Sequence, residues 1–136
     1  MSKEKGSRTQ FKVTRNAEQR ETRPHAKLSY ARVPVQKACF VLDAIRGKSV
    51  AEAKGILTYN TRYASEVILK LLNSAEANAT NNMGMNPDRL YIAECRACDG
   101  PTMKRIRPRA QGRAYRILKR MSNIWIVLDE VKDEAK

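Results

Sequence analysis

The chain has 136 residues and carries 27 Lys plus Arg against 14 Asp plus Glu, a formal net charge of +13. One domain fits that length, and with 42% hydrophobic but only 6% aromatic residues its core has to be aliphatic. The charge turns attention to polyanionic partners (nucleic acid, an anionic membrane surface or an acidic protein), and no apolar run approaches the ~18 residues of a membrane span.

From the N-terminus to Arg23 the residues are polar and charged, with no signal-peptide core. Glu4, Glu18 and Glu21 argue against an organellar transit peptide, so a cytoplasmic location is the default. Only Phe11 and Val13 after the initial Met are core-type side chains. Residues 1–25 therefore read as a basic, flexible arm. A solvated tail and an RNA-contacting arm both fit that composition.

Ordered structure is expected from Ala26. Leu28, Tyr30 and Arg32 alternate with Lys27, Ser29 and Ala31, which suits a short strand. Pro34 sits where a first helical turn tolerates proline. Val35, Ala38, Cys39, Leu42 and Ile45 then recur at helical spacing, and Gly47 is placed to end that helix in a left-handed conformation. Ser49-Val-Ala-Glu52 is a capping box opening a second helix on Val50, Ala53, Ile56 and Leu57. A third helix is predicted from about Thr61 to Asn78 or beyond, lined by Ala64, Val67, Ile68, Leu71, Leu72, Ala75 and Ala79. Asn81 to Pro87 breaks it.

Period two resumes from Leu90 to Cys98, with Tyr91, Ala93, Cys95 and Ala97 assigned to one face. Tyr115 to Met121 and Asn123 to Leu128 read as further strands. The last is nearly all apolar, hence central, with Trp125 in the core. From Asp129 to Lys136 the tail is polar. Strand, three helices, then strands imply a two-layer α/β domain over residues 26–128, with helices on one face of a small, mostly antiparallel sheet.

Chemistry concentrates between Gly100 and Arg120. Lys104, Arg105, Arg107, Arg109, Arg113, Arg116, Lys119 and Arg120 lie there, and no Asp or Glu occurs from Gly100 through Leu128. Mixed charge is the rule for a solvated surface. Pro101, Pro108 and Gly112 place a turn near Arg107–Gly112, so the flanks would pair as a long hairpin over about residues 97–120. An arm of ~9 residues at ~3.3 Å each reaches ~30 Å, too far to pack on its own domain. Guanidinium groups grip phosphate oxygens with paired donors and stack on bases. Met103, Ile106 and Tyr115 could pack between those contacts. A flexible basic loop with nonspecific attraction is the competing reading.

Other constellations are weaker. Cys95-Arg-Ala-Cys98 has a chelating spacing, but Cys39 belongs to a core stripe, His25 is the lone histidine, and strand positions three apart face opposite ways. No metal and no cofactor is expected. His25 has no catalytic motif beside it and reads as a surface or RNA-facing residue. Asp43 and Arg46 are an ordinary helical i, i+3 pair. With no grouped carboxylates, an enzyme acting on nucleic acid is disfavoured; a free-standing RNA chaperone fits the composition as well as a structural RNA-binding protein does.

The run Asp99-Gly-Pro-Thr-Met-Lys-Arg-Ile-Arg-Pro-Arg-Ala-Gln-Gly-Arg-Ala-Tyr-Arg-Ile-Leu-Lys-Arg120, followed by Ser122-Asn-Ile-Trp-Ile-Val127, closely resembles the bacterial form of ribosomal large-subunit protein twenty-two. Pro34-Val-Gln-Lys-Ala38, Ile45-Arg-Gly-Lys48 and Ser74-Ala-Glu-Ala-Asn-Ala79 resemble its helices. The resemblance runs from Ala26 to Leu128. It implies a β-α-α-α-β-β domain with a long protruding hairpin that passes through rRNA, supports subunit assembly and lines the nascent-peptide exit tunnel. By position it places Met103, Lys104, Arg105, Ile106, Arg107, Pro108, Arg109, Ala110, Gln111 and Gly112 in the tunnel stretch. Arg113, Arg116, Lys119 and Arg120 continue the rRNA-binding set, joined by Arg32, Lys37, Arg46 and Lys48 around the first helix. The partners implied are large-subunit rRNA, neighbouring ribosomal proteins and the nascent peptide, with no membrane and no homo-oligomer. The arm before Arg23 and the pair Cys95 and Cys98 fall outside the family's motifs.

Overall fold

A computed structural model describes residues 22–131 of the chain. Most of the expected arm, residues 1–21, and the last part of the expected tail, residues 132–136, lie outside the described residues.

Strand β1 (His25–Ala31) leads into α1 (Val35–Ile45), α2 (Val50–Tyr59) and α3 (Tyr63–Ala77), and β2 (Leu90–Asp99), β3 (Met103–Pro108), β4 (Ala114–Lys119) and β5 (Ser122–Glu130) follow. β1, β5 and β2 form an antiparallel sheet in that order, while among the described residues β3 and β4 pair only with each other. The expected two-layer α/β fold with a hairpin is thus present. The apolar β5 takes the central place.

Apolar spacing explains the helices. Ala38, Val41, Leu42 and Ile45 are buried along α1, and Ala64, Ile68, Leu71, Leu72 and Ala75 along α3. They pack with Leu90, Ile92, Ile124, Ile126 and Leu128 of the sheet in one aliphatic core. Gly47 takes a positive φ of 72° and donates to the Ile92 carbonyl at 3.2 Å, so the turn after α1 is stitched to β2. Ser49 Oγ accepts from the Glu52 backbone N–H at 3.3 Å, the forward half of the capping box. A Lys54–Glu76 ion pair ties α2 to α3. The third helix continues past Asn78 as a π-helical turn, Asn78–Asn82, which keeps Ala79 buried on the expected face. Asn78 there donates to the His25 carbonyl at 3.0 Å.

Two sheet assignments need correction. Cys95 and Ala97 share the core face as expected, but it is Leu90 and Ile92, not Tyr91 and Ala93, that join them there. Ile92 opposes Leu128 but Glu94 opposes Val127, so Ala93 is an extra residue in the ladder. Such a bulge exchanges the faces of everything beyond it. Trp125, in turn, is not core. Its neighbours Ile124 and Ile126 point into the helices, and Trp125 lies half-buried on the outer face. Lys27 and Arg96, its cross-strand partners, stand 5.7 and 5.6 Å from its ring centroid. His25 belongs to the same cluster: its ring is 5.6 Å from Trp125 and its Nδ1 lies 3.0 Å from the Arg23 carbonyl.

Candidate nucleic-acid interface

β2 and β5 run on into the ribbon formed by β3 and β4. The sheet ladder ends at Asp99↔Ser122, the Gly100 N–H donates to the Met121 carbonyl at 2.9 Å, and pairing resumes at Met103↔Lys119. Gly100, Pro101 and Thr102 thus oppose only Arg120 and Met121. Pro101 brings no N–H to this joint, which suits a place where the ladder slips by one residue. A side chain at position 100 would press on the Met121 backbone, since an added Cβ would stand 3.2 Å from its carbonyl carbon and oxygen. Glycine is what lets the two arms approach.

From Met103↔Lys119 to Pro108↔Ala114 the ribbon is in continuous register. The chain reverses through a short helical turn, Ala110–Gly112, with positive φ at Gln111 (59°) and Gly112 (69°). The Arg109 N–H donates to the Arg113 carbonyl at 2.7 Å and closes it. The run from Gly100 to the turn spans roughly 33 Å at ~3.3 Å per residue.

Alternation assigns the side chains. One face holds Met103, Arg105 and Arg107 opposite Lys119, Ile117 and Tyr115. The other holds Lys104, Ile106 and Pro108 opposite Leu118, Arg116 and Ala114. Every residue from Lys104 to Arg120 is exposed, including Ile106 at 73% and Tyr115 at 58%. A ribbon resting on its own domain would have one apolar and one polar face. Here both faces mix cations with apolar side chains and neither is covered. Among the described residues, no carboxylate pairs with any cation of the ribbon.

The expected rRNA-binding cations of the body, Arg32, Lys37, Arg46 and Lys48, are split between the two ends of α1. Arg32 and Lys37, both exposed, line one groove at its start. Arg120, at the ribbon's base, lines a neighbouring recess with Pro34, Val35, Gln36 and Asp99. Arg46 and Lys48 lie beyond the other end of the helix. The side chain of Cys95 and then the Asp43 carboxylate raise the pKa of Arg46 above its already high ordinary value. Its guanidinium is 3.0 Å from Asp43. The Cys95 thiol is buried, 3.5 Å from the Leu42 carbonyl, whereas Cys98 is exposed.

Sequence reasoning missed three residues near the first end of α1. Phe40 lies off the buried stripe and is 69% exposed. The Arg62 guanidinium stands 5.3 Å above its ring, and Tyr63 beside it is also exposed. The available signal was an aromatic outside the helical stripe of its own helix.

The model of the family "Ribosomal protein L22p/L17e" matches residues 26–129. The chain is 68% identical over 125 residues to the large ribosomal subunit protein uL22 of Lachnospira eligens, covering 92% of this chain and 97% of that protein. It is 68% identical over 126 residues to the uL22 of Lachnoclostridium phytofermentans, covering 93% and 98%. Against the uL22 of Acetivibrio thermocellus the identity is 55% over 105 residues, covering 77% and 84%.

Proposed function

Because the chain belongs to the ribosomal protein L22p/L17e family, whose members are structural components of the large ribosomal subunit and not enzymes, we propose that its β3–β4 ribbon is an rRNA-embedded strut whose tip lines the nascent-peptide tunnel. The observation that carries this reading is the two-sided exposure of a ribbon free of acidic residues. A ribbon laid on the outside of an RNA would need cations on one face only. One enclosed by RNA needs phosphate and stacking contacts on both.

Lys104, Arg105, Arg107, Arg109, Arg113, Arg116, Lys119 and Arg120 then hold backbone phosphates along the ribbon. Arg32 and Lys37 extend the contact onto the body, and Arg46 and Lys48 serve a second rRNA segment at the far end of α1. Met103 to Gly112 form the stretch that meets the nascent peptide. Neighbouring ribosomal proteins cover what RNA does not, and the chain enters the cytoplasmic large subunit as a single copy. Binding so many phosphates releases their counterions, which drives association at an early, protein-poor stage of assembly.

Quantitative mass spectrometry of the protein across a sucrose gradient of lysate in high salt tests this. Fixed stoichiometry with the large subunit is the expected result. Sedimentation with free transcripts would favour an RNA chaperone and remove the tunnel assignment.

A further inference from the structure

A groove of about 370 Å³ opens where the end of β1 meets the first turns of α1 and α3, with Arg32, Lys37, Arg62 and Tyr63 in its walls. Among the described residues no acidic residue lines it and no carboxylate pairs with Arg32, Lys37 or Arg62. Two aromatic rings stand at this place without covering. Tyr63 is 64% exposed and Phe40 is 69% exposed, with the Arg62 guanidinium stacked 5.3 Å above the Phe40 ring. Stacking engages the guanidinium plane and leaves its edge N–H groups to donate to an oxygen.

We propose that this groove holds an unpaired nucleotide of rRNA, its phosphate against Arg32, Lys37 and Arg62 and its base on the Tyr63 ring, with Phe40 keeping Arg62 in place. The inference deepens the rRNA-binding reading and rests on it. Unpaired cations of one sign select a polyanion. Exposed flat rings select a base already out of its stack, because a paired base offers no face to them. A protein neighbour would need acidic side chains to match the three cations and would gain less from the rings.

The test uses the full chain and a single-stranded RNA decamer carrying 4-thiouridine, with ultraviolet crosslinking, peptide mapping and titration. Crosslinks are expected at Tyr63 or Phe40, and separately within residues 103–120 of the ribbon. Tyr63→Ala should remove the groove crosslink and weaken binding roughly 5- to 150-fold, the range for one lost stacked base. Tyr63→Phe keeps the ring and should retain both, which separates stacking from a folding defect. Crosslinks confined to the ribbon, with Tyr63→Ala binding unchanged, would overturn the groove proposal while leaving the ribbon reading intact. Crosslinks in neither place would remove both.

Discussion

Changing Arg105, Arg107 and Arg109 together to Ala should separate RNA affinity from folding. All three side chains are exposed, and among the described residues the Arg105 side chain bonds only locally, to the Lys104 carbonyl at 3.0 Å and the Met103 sulfur at 3.6 Å. Surface changes without buried partners usually stay within about 0.5 kcal/mol, so the urea midpoint should hardly move. The effect on binding is larger and has a particular form. Each phosphate contact contributes ~0.7–0.9 to the slope of log affinity against log salt, so losing three flattens it by about 2.1–2.7. Between roughly 50 and 200 mM KCl that difference amounts to a 20- to 40-fold change in the mutant-to-parent affinity ratio. Anisotropy titrations of a labelled rRNA fragment at four salt concentrations would measure it. Lys70→Ala, which removes an exposed cation paired with Glu66 at 3.2 Å, is the control and should leave the slope alone. An unchanged slope in the triple variant would refute the ribbon as the phosphate-contacting element.

Three further changes test how the body and joint are built. Leu72→Ala removes a side chain with no solvent exposure and should cost about 2–5 kcal/mol in a urea titration. Ser49→Ala deletes the cap on the Glu52 N–H and should cost about 1 kcal/mol, with increased amide exchange confined to the first turn of α2. Gly100→Val drives a side chain into the Met121 backbone and should cost about 1–3 kcal/mol, with NMR shift changes centred on the joint between sheet and ribbon; shifts spread through the helices would contradict a local role.

The helices were legible because each needs only one apolar stripe at one spacing, and those stripes are what the core buries. The ribbon was legible because charge segregation survives without knowledge of the fold. The bulge in β2 was not. In Leu90-Tyr-Ile-Ala-Glu-Cys95 the apolar residues support either alternation, and one inserted residue at Ala93 lets Leu90, Ile92 and Cys95 share a face. Trp125 was misplaced for a related reason. An unbroken apolar run suggests burial on both sides, but Lys27 and Arg96 cover the outer ring face with their cationic chains. The groove at the start of α1 escaped notice because Arg32 and Lys37 are brought to Arg62 and Tyr63 only by the packing of α1 against α3.

How a chain of such charge keeps a stable core follows from where the charge lies. Of the net +13, residues 100–121 carry +8 and residues 1–24 carry +4, which leaves +1 for everything else. The body that folds around Leu42, Ile68, Leu72 and Ile126 is therefore almost neutral, with internal pairs such as Lys54–Glu76. Repulsion acts mainly within a ribbon whose cations are all exposed, so it opposes ribbon order more than body packing. Added salt should then have two opposite signatures in one molecule. At neutral pH the urea midpoint of the body should stay nearly constant from low to moderate KCl, because screening acts on charges that already balance. RNA affinity should fall steeply over the same range. In free protein, the ribbon's amides should gain exchange protection as salt rises, since screening relieves its self-repulsion. A body midpoint that climbs with KCl as steeply as the ribbon's protection would show that the excess charge burdens the whole domain, and the separation of a neutral core from a charged ribbon would have to be given up.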